Sequence, residues 1–291
     1  MTKWKILFLF AILLFTASCN SGKGRKNLII ASKNFTENIV LGNIIAEWVS
    51  AKSDIEVELK PNMGSTFVVW QALKSGDIDL YPDYTGTIYQ ATLKKEKKAS
   101  ADESLRIVQQ ELKDQYKMKV FNPFGLNNTY ALAMLRSRAE ELGISKISDL
   151  RNHLDLIAGF DSEFMSRSND GSEPMFAAYG FQPAQPIIQL EIGLRYKAVT
   201  EGQADYTDAY STDAKLKRFD MKVLEDDLSF FPPYYAVIVA NQDALQRFPE
   251  LEGLLAELEG NIDDAEITAM NYKVEEDKID PEEVALNFLK S

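Results

Sequence analysis

Seven tyrosines stand at predicted strand ends and loops, and they are the side chains best suited to holding a cation. They are Tyr81, Tyr84, Tyr130, Tyr206, Tyr210, Tyr234 and Tyr235. The face of an aromatic ring carries negative charge density and attracts a cation, for about 0.5–2 kcal/mol per contact. A quaternary ammonium group has no N–H donor, so ring faces can hold it where hydrogen bonds cannot. Any single tyrosine can equally be explained by packing, with its ring buried and its hydroxyl in water.

Residues for acid–base, nucleophilic or metal chemistry are scarce. His153 is the only histidine and Cys19 the only cysteine, which leaves no zinc site and no Ser-His-Asp arrangement. There is no glycine-rich phosphate loop, and the pairs Asp226-Asp227 and Asp263-Asp264 are typical of a solvated surface. The sequence therefore predicts a binding protein that uses no cofactor or metal, and not an enzyme.

The N-terminus has the pattern of a lipoprotein signal peptide. Lys3 and Lys5 precede an apolar run over 6–15, which is too short for a stable membrane anchor. A small pair, Ala17-Ser18, then precedes Cys19. We expect a signal peptide over 1–18, lipidation at Cys19 and a tether over 19–27. The alternative is an ordinary signal peptide followed by a stray cysteine.

These segments predict an exported protein, held by lipid on the periplasmic or outer-surface side of the cell membrane. The net charge is −12, and it becomes −14 without Lys3 and Lys5. Nucleic-acid partners are excluded, because phosphates require basic patches. An acidic surface mildly favours the approach of a cationic ligand.

Apolar strands alternate with amphipathic helices from Leu28 onward. Strands are predicted over 28–32, 55–59 and 78–81, with a helix capped by Thr36 and another after Gly64-Ser65. This β-α-β-α-β order predicts parallel strands with right-handed crossovers.

Two long apolar strands, over 129–135 and 234–240, flank a second α/β series. We expect lobe I to comprise 28–128 and 233–291, and lobe II to comprise 129–232. A ligand would lie in the cleft between the lobes, near the carboxyl ends of the parallel strands.

Four motifs together resemble the substrate-binding proteins of glycine betaine/carnitine/choline ABC transporters. They are Ala31-Ser32-Lys33-Asn34-Phe35-Thr36-Glu37-Asn38, Gly76 to Thr87 with Tyr84-Thr85-Gly86-Thr87 at its end, Asn127-Asn128-Thr129-Tyr130-Ala131-Leu132, and Phe231-Pro232-Pro233-Tyr234-Tyr235-Ala236. The resemblance implies an α/β, two-lobed periplasmic binding protein of type II. Each lobe would be a mostly parallel sheet flanked by helices, with a hinge of two crossing strands. It also implies osmoprotectant uptake through a separate permease and a cytoplasmic ATPase.

By the same resemblance, Tyr84, Tyr130, Tyr210 and Tyr234 form a cage for the quaternary ammonium. Lys33, Thr87 and Arg167 would hold a ligand carboxylate, and Asn128 stands where some members carry aspartate. From the residues alone, Lys33 can be a plain strand-end lysine, Thr87 a helix N-cap and Arg167 part of a surface salt bridge.

Two other functions fit a protein of this architecture. One is the binding of amino acids or another small zwitterion or anion, which a cleft with Arg and Lys but no closed tyrosine cage would favour. The other is an enzyme on the same scaffold, for which the sequence supplies no histidine base.

Overall fold

Two five-stranded sheets flanked by helices form the part of the chain that the computed structural model describes, residues 26–96 and 99–290. The predicted signal peptide and Cys19 lie outside these residues. Within them, no helix is long and apolar enough to cross a membrane.

The first sheet has the strand order β2-β1-β3-β10-β4. Only β10 runs against the other four, because it pairs antiparallel with both β3 and β4. Four of the five strands are parallel, which confirms the prediction of a mostly parallel sheet. The strands are β1 (Asn27–Ala31), β2 (Glu56–Lys60), β3 (Leu80–Tyr84), β4 (Met118–Val120) and β10 (Ala236–Asn241).

The second sheet repeats this plan, with the order β7-β6-β8-β5-β9. Its single reversed strand is β5, which is antiparallel to β8 and β9. In each sheet the reversed strand follows directly on a segment that crosses from the other sheet. The strands are β5 (Tyr130–Leu135), β6 (Ala158–Asp161), β7 (Ile188–Leu190), β8 (Tyr206–Tyr210) and β9 (Met221–Leu224).

Helices cover the faces of both sheets, and α1 is packed by α11, α12 and α13 from the C-terminal part of the chain. The apolar strands β1 and β10 are buried along almost their whole length, as expected of strands covered on both faces. The helices are α1 (Thr36–Lys52), α2 (Thr66–Ser75), α3 (Thr85–Thr87), α4 (Ala101–Tyr116), α5 (Arg136–Leu142), α6 (Ser162–Ser166), α7 (Ser172–Tyr179), α8 (Arg195–Thr200), α9 (Lys215–Arg218), α10 (Gln242–Arg247), α11 (Leu251–Ala256), α12 (Asp264–Glu275) and α13 (Pro281–Phe288); a π-turn (Ile88–Thr92) and a 3-10 turn (Ile147–Asn152) complete them.

The start of α1 differs from the prediction. Thr36 is the first helical residue and not the cap, and the capping position is held by Phe35, without a side-chain hydrogen bond. The Thr36 hydroxyl instead donates to Glu275 on α12, 2.5 Å away. The Thr36 hydroxyl therefore bonds to a distant helix and not to the backbone of the first turn of α1.

The two segments that cross between the sheets pair with each other. Asn127 and Tyr235 form an antiparallel bridge, and the backbone N–H of Asn128 donates to the Tyr234 carbonyl at 3.1 Å. The Thr129 hydroxyl donates to the Pro232 carbonyl at 3.1 Å. This pairing gives the predicted hinge of two crossing strands, while the lobe boundaries at 128/129 and 232/233 stay a prediction.

Candidate functional site

Four tyrosines from separate segments are brought to one place by strand ends. Tyr84 ends β3 and Tyr210 ends β8, while Tyr130 begins β5 directly opposite Tyr210 in the antiparallel register. Tyr234 lies in the segment that crosses back from β9 to the first sheet, two residues before β10. The sheets therefore position these rings, and no local element requires them together.

The rings line a common cavity of about 40 Å³. Ring centroids lie 5.2 Å apart for Tyr130 and Tyr210, and 5.7 Å apart for Tyr130 and Tyr234. Phe35 links the remaining ring to them, at 6.1 Å from Tyr84 and 5.8 Å from Tyr210. We refer to this aromatic wall as the cage; it consists of Phe35, Tyr84, Tyr130, Tyr210 and Tyr234.

A glycine makes room for one of the rings. A Cβ placed on Gly86 would lie 2.6 Å from two ring carbons of Tyr234. Real Cβ atoms do not approach that closely. Residue 86 of the Tyr84-Thr85-Gly86-Thr87 turn can therefore carry no side chain. The glycine of this motif is thus explained by the position of Tyr234.

The phenols of Tyr84, Tyr130 and Tyr210 stay neutral. Burial raises the pKa of Tyr84 well above its ordinary value, with the carboxylate of Glu37 acting in the same direction. Burial also raises the pKa of Tyr130 and of Tyr210. Neutral rings keep the negative face that a cation needs.

Lys33 is a buried, paired lysine. Its ammonium donates to Asp83 at 2.5 Å, and the two side chains are 3% and 0% exposed. The same ammonium lies 5.6 Å from the centre of the Tyr84 ring. Lys33 lines the cage cavity, so it is not an exposed strand-end lysine, and its charge is already matched by a carboxylate.

Arg167 is also buried and paired, which excludes a surface salt bridge. Its guanidinium donates two hydrogen bonds to Asp170, at 2.8 and 2.5 Å, and a third to the Tyr234 hydroxyl at 3.0 Å. It lies 5.2 Å from the centre of the Tyr130 ring. Arg167 lines the adjoining groove and touches the cage from outside.

Thr87 and Asn128 both line the cage cavity. Thr87 ends α3 and holds the N-cap position of the π-turn that follows, but its side chain makes no capping hydrogen bond. Asn128 lies in the segment that crosses from β4 to β5, and its Nδ2 donates to Glu37 at 2.8 Å.

Several lining residues were not singled out from the sequence. The cavity wall is completed by Asn34, Phe35, Thr66, Glu163 and Ile192, and Glu37 lies directly behind it. Phe35 and Glu37 belong to a motif that carried the resemblance, and aromatic character was a usable signal for Phe35. Glu163 on α6 accepts a hydrogen bond from Thr66 on α2 at 3.1 Å, a long-range contact that no local pattern indicates.

Comparison with known proteins identifies the family. The family described as "Substrate binding domain of ABC-type glycine betaine transport system" matches residues 26–291. The chain belongs to this family. The architecture agrees, because a solved structure described as a glycine betaine/carnitine/choline ABC transporter superposes with a TM-score of 0.76. It is 31% identical, over 91% of this chain and 98% of that one.

Curated relatives belong to the same group of transport proteins. The carnitine transport binding protein OpuCC of Listeria monocytogenes is 31% identical, over 99% of this chain and 97% of its own length. The glycine-betaine-binding protein of Pseudomonas aeruginosa is 34% identical, over 91% of this chain and 88% of its own length. The type II binding-protein fold and the function of an ABC substrate-binding component, both predicted from the motifs, are confirmed.

Proposed function

We propose that this substrate-binding protein captures a small quaternary ammonium compound, of the glycine betaine, choline or carnitine type, inside the cage. The observation that carries the proposal is the convergence of Tyr84, Tyr130, Tyr210 and Tyr234, from four separate segments, on one cavity. Aromatic faces are the groups that recognise quaternary ammonium ligands. The names of the relatives support the same class of ligand.

The remaining site residues would bind the other end of the ligand. Lys33 and Thr87 line the same cavity, and Arg167 touches the cage through Tyr234. In this proposal Lys33, Thr87 and Arg167 receive a ligand carboxylate, and Asn128 faces the headgroup. The lobes, 28–128 with 233–291 and 129–232, close around the ligand by bending at the paired crossing segments.

The protein then delivers its ligand, without chemical change, to a separate permease driven by a cytoplasmic ATPase. The proposed lipid on Cys19 would keep the receptor on the outer face of the membrane. Labelling with a fatty acid tests this anchor, because Cys19→Ser would abolish both label and membrane association. Membrane association without any fatty acid on the wild-type protein would contradict it.

Calorimetric titration of the purified protein tests the ligand class. Glycine betaine, choline and carnitine form the panel, and glycine serves as the control that lacks the methyl groups. We expect saturable binding of at least one panel member and none of glycine. Glycine binding as tightly as the methylated ligands, or binding of amino acids alone, would contradict the proposal.

A further inference from the structure

Within the part of the chain that the structure describes, Glu37 is a buried carboxylate without a cationic partner. Glu37 is 3% exposed. In residues 26–96 and 99–290, no lysine, arginine or histidine nitrogen lies within 4.0 Å of its carboxylate oxygens. Glu37 lies in the first turn of α1, where the helix dipole favours a negative charge but supplies no full counter-charge. A buried charge without a counter-charge is costly, so this residue requires an explanation.

Four hydrogen-bond donors hold the carboxylate, and they come from four different parts of the fold. Oε1 accepts from the Tyr84 hydroxyl at 2.7 Å and from Asn128 Nδ2 at 2.8 Å. Oε2 accepts from the Thr212 hydroxyl at 2.5 Å and from Asn271 Nδ2 at 3.1 Å. Two of these donors, Tyr84 and Asn128, line the cage cavity itself. The Glu37 carboxylate is therefore separated from the cage cavity only by the side chains of Tyr84 and Asn128.

The orientation of two amides favours the ionised form of Glu37. Asn128 and Asn271 both turn their NH₂ groups toward it, and the Oδ1 atom of each has no hydrogen-bond partner in the described chain. An ionised carboxylate accepts at both oxygens and donates at neither. Each amide therefore satisfies the carboxylate and leaves its own carbonyl unpaired.

The cations around the cage are already matched by other carboxylates. Lys33 pairs with Asp83, and Arg167 pairs with Asp170 and lies 3.7 Å from Glu163. On the other side, Arg195 of α8 contacts Asp208 at 2.6 Å, Asp161 at 3.2 Å and Asp213 at 3.4 Å, and Lys215 of α9 contacts Glu275 at 3.1 Å. The surroundings of the cage therefore carry unmatched negative charge.

We propose that Glu37 supplies the negative charge that the ligand's ammonium neutralises, so that the site favours a net cation such as choline over a zwitterion such as glycine betaine. This inference rests on the proposed function, because it assumes that an ammonium occupies the cage. A cation beside the cage gains Coulomb energy from Glu37 that is strengthened by burial. The carboxylate of a zwitterion brings its own negative charge, and Lys33 and Arg167, which would receive it, already share their charges with Asp83 and Asp170.

The same charge makes binding depend on pH. Burial raises the pKa of Glu37, and the hydrogen bonds from Thr212, Tyr84, Asn128 and Asn271 oppose that rise. A bound cation lowers this pKa further. Affinity for choline is therefore full above the pKa of the free protein and falls as the pH drops through it, because the ligand then has to displace a proton.

Three ligands and two variants test the proposal. The ligands are choline, glycine betaine and 3,3-dimethylbutanol, which has the shape of choline without its charge. In Glu37→Gln we expect choline affinity to fall by about fivefold or more. We expect dimethylbutanol affinity to be retained, and the pH dependence of choline binding to disappear. Glu275→Gln is the matched control, since Glu275 is a nearby, partly buried carboxylate paired with Lys215, and it should leave the ratio of choline to betaine affinity unchanged.

Equal losses for all three ligands in Glu37→Gln, or a pH dependence that persists, would overturn the inference and leave Glu37 with a structural role. Should Glu37→Gln not fold, the wild-type protein decides: choline binding at acidic pH should release more protons than glycine betaine binding, measured by calorimetry in two buffers. Equal release would overturn it. A wild-type protein that binds no quaternary ammonium would instead refute the proposed function.

Discussion

At the residue scale, the hydroxyls of the cage tyrosines divide into two kinds. The Tyr84 hydroxyl donates to Glu37 at 2.7 Å, and the Tyr234 hydroxyl accepts from Arg167 at 3.0 Å. The Tyr130 hydroxyl makes no hydrogen bond to any residue of the described chain. The cation needs only the ring face, so the hydroxyls serve the protein and not the ammonium.

The same substitution should therefore have different effects at two positions of the cage. Tyr84→Phe removes a hydrogen bond to a buried carboxylate and should lower the free energy of unfolding by about 1.5–3 kcal/mol. Tyr130→Phe removes no hydrogen bond and should change that free energy by less than about 0.5 kcal/mol. Urea unfolding of both variants measures the difference. Equal destabilisation would contradict the assigned hydrogen bonds.

The Lys33–Asp83 pair gives a second prediction at this scale. Lys33→Met leaves Asp83 buried without its cation, which should cost about 3–5 kcal/mol of stability. The double variant Lys33→Met/Asp83→Asn removes both charges and should recover most of that loss. Thermal and urea unfolding check it. A double variant no more stable than the single one would show that the pair is not the reason for the loss.

The double variant also separates stability from recognition. If Lys33 receives a ligand carboxylate as proposed, Lys33→Met/Asp83→Asn should weaken the binding of glycine betaine more than that of choline, which has no carboxylate. Equal weakening for both ligands, measured by calorimetry, would show that Lys33 affects closure of the lobes and not the carboxylate.

At the element scale, the turn after β3 has to pass close beneath Tyr234. Gly86→Ala would place a Cβ 2.6 Å from that ring, so we expect the ring to shift and ligand affinity to fall by roughly 1–2 kcal/mol, the value of about one cage contact. Gly253→Ala, on α11, is the control, since its Cβ would meet nothing within 4 Å. Titration of both variants with choline tests the contact; equal affinities would contradict it.

Strand β3 shows why element bounds were harder to predict than element order. Pro82 suggests a strand end after Tyr81, because proline has no N–H to donate. The strand nevertheless continues to Tyr84. Its pairing with β1 is limited to Leu80, and on that side the Pro82 carbonyl accepts a hydrogen bond from Asn38 Nδ2 at 2.9 Å. On that side Pro82 therefore meets the first turn of α1, where no strand pairing requires an N–H donor.

The order of strands and helices was predictable because it follows from local patterns. Apolar runs and their spacing indicated β1, β5 and β10, and the motifs indicated the four tyrosines that the structure brings together. The partners of Glu37 could not be predicted in this way. Thr212 and Asn271 lie 175 and 234 residues away in the chain, and no periodicity reports contacts of that separation.

At the scale of the whole molecule, α12 connects the two sheets outside the crossing segments. It packs on α1 beside the first sheet, while its acidic side chains bind α9 of the second. Glu275 contacts Lys215 at 3.1 Å and Glu276 contacts Arg218 at 2.8 Å. Together with the Glu37–Thr212 hydrogen bond, these contacts hold the lobes against each other around the cage.

The central claim is that the aromatic cage binds a quaternary ammonium, and titration of one double variant tests it most directly. Tyr84→Ala and Tyr234→Ala remove rings from the two ends of the cage. Each should weaken choline and glycine betaine binding by about 1–2 kcal/mol, roughly five- to thirtyfold, and the double variant should lose more than either. A folded Tyr84→Ala/Tyr234→Ala protein that binds these ligands as tightly as the wild type would contradict the claim.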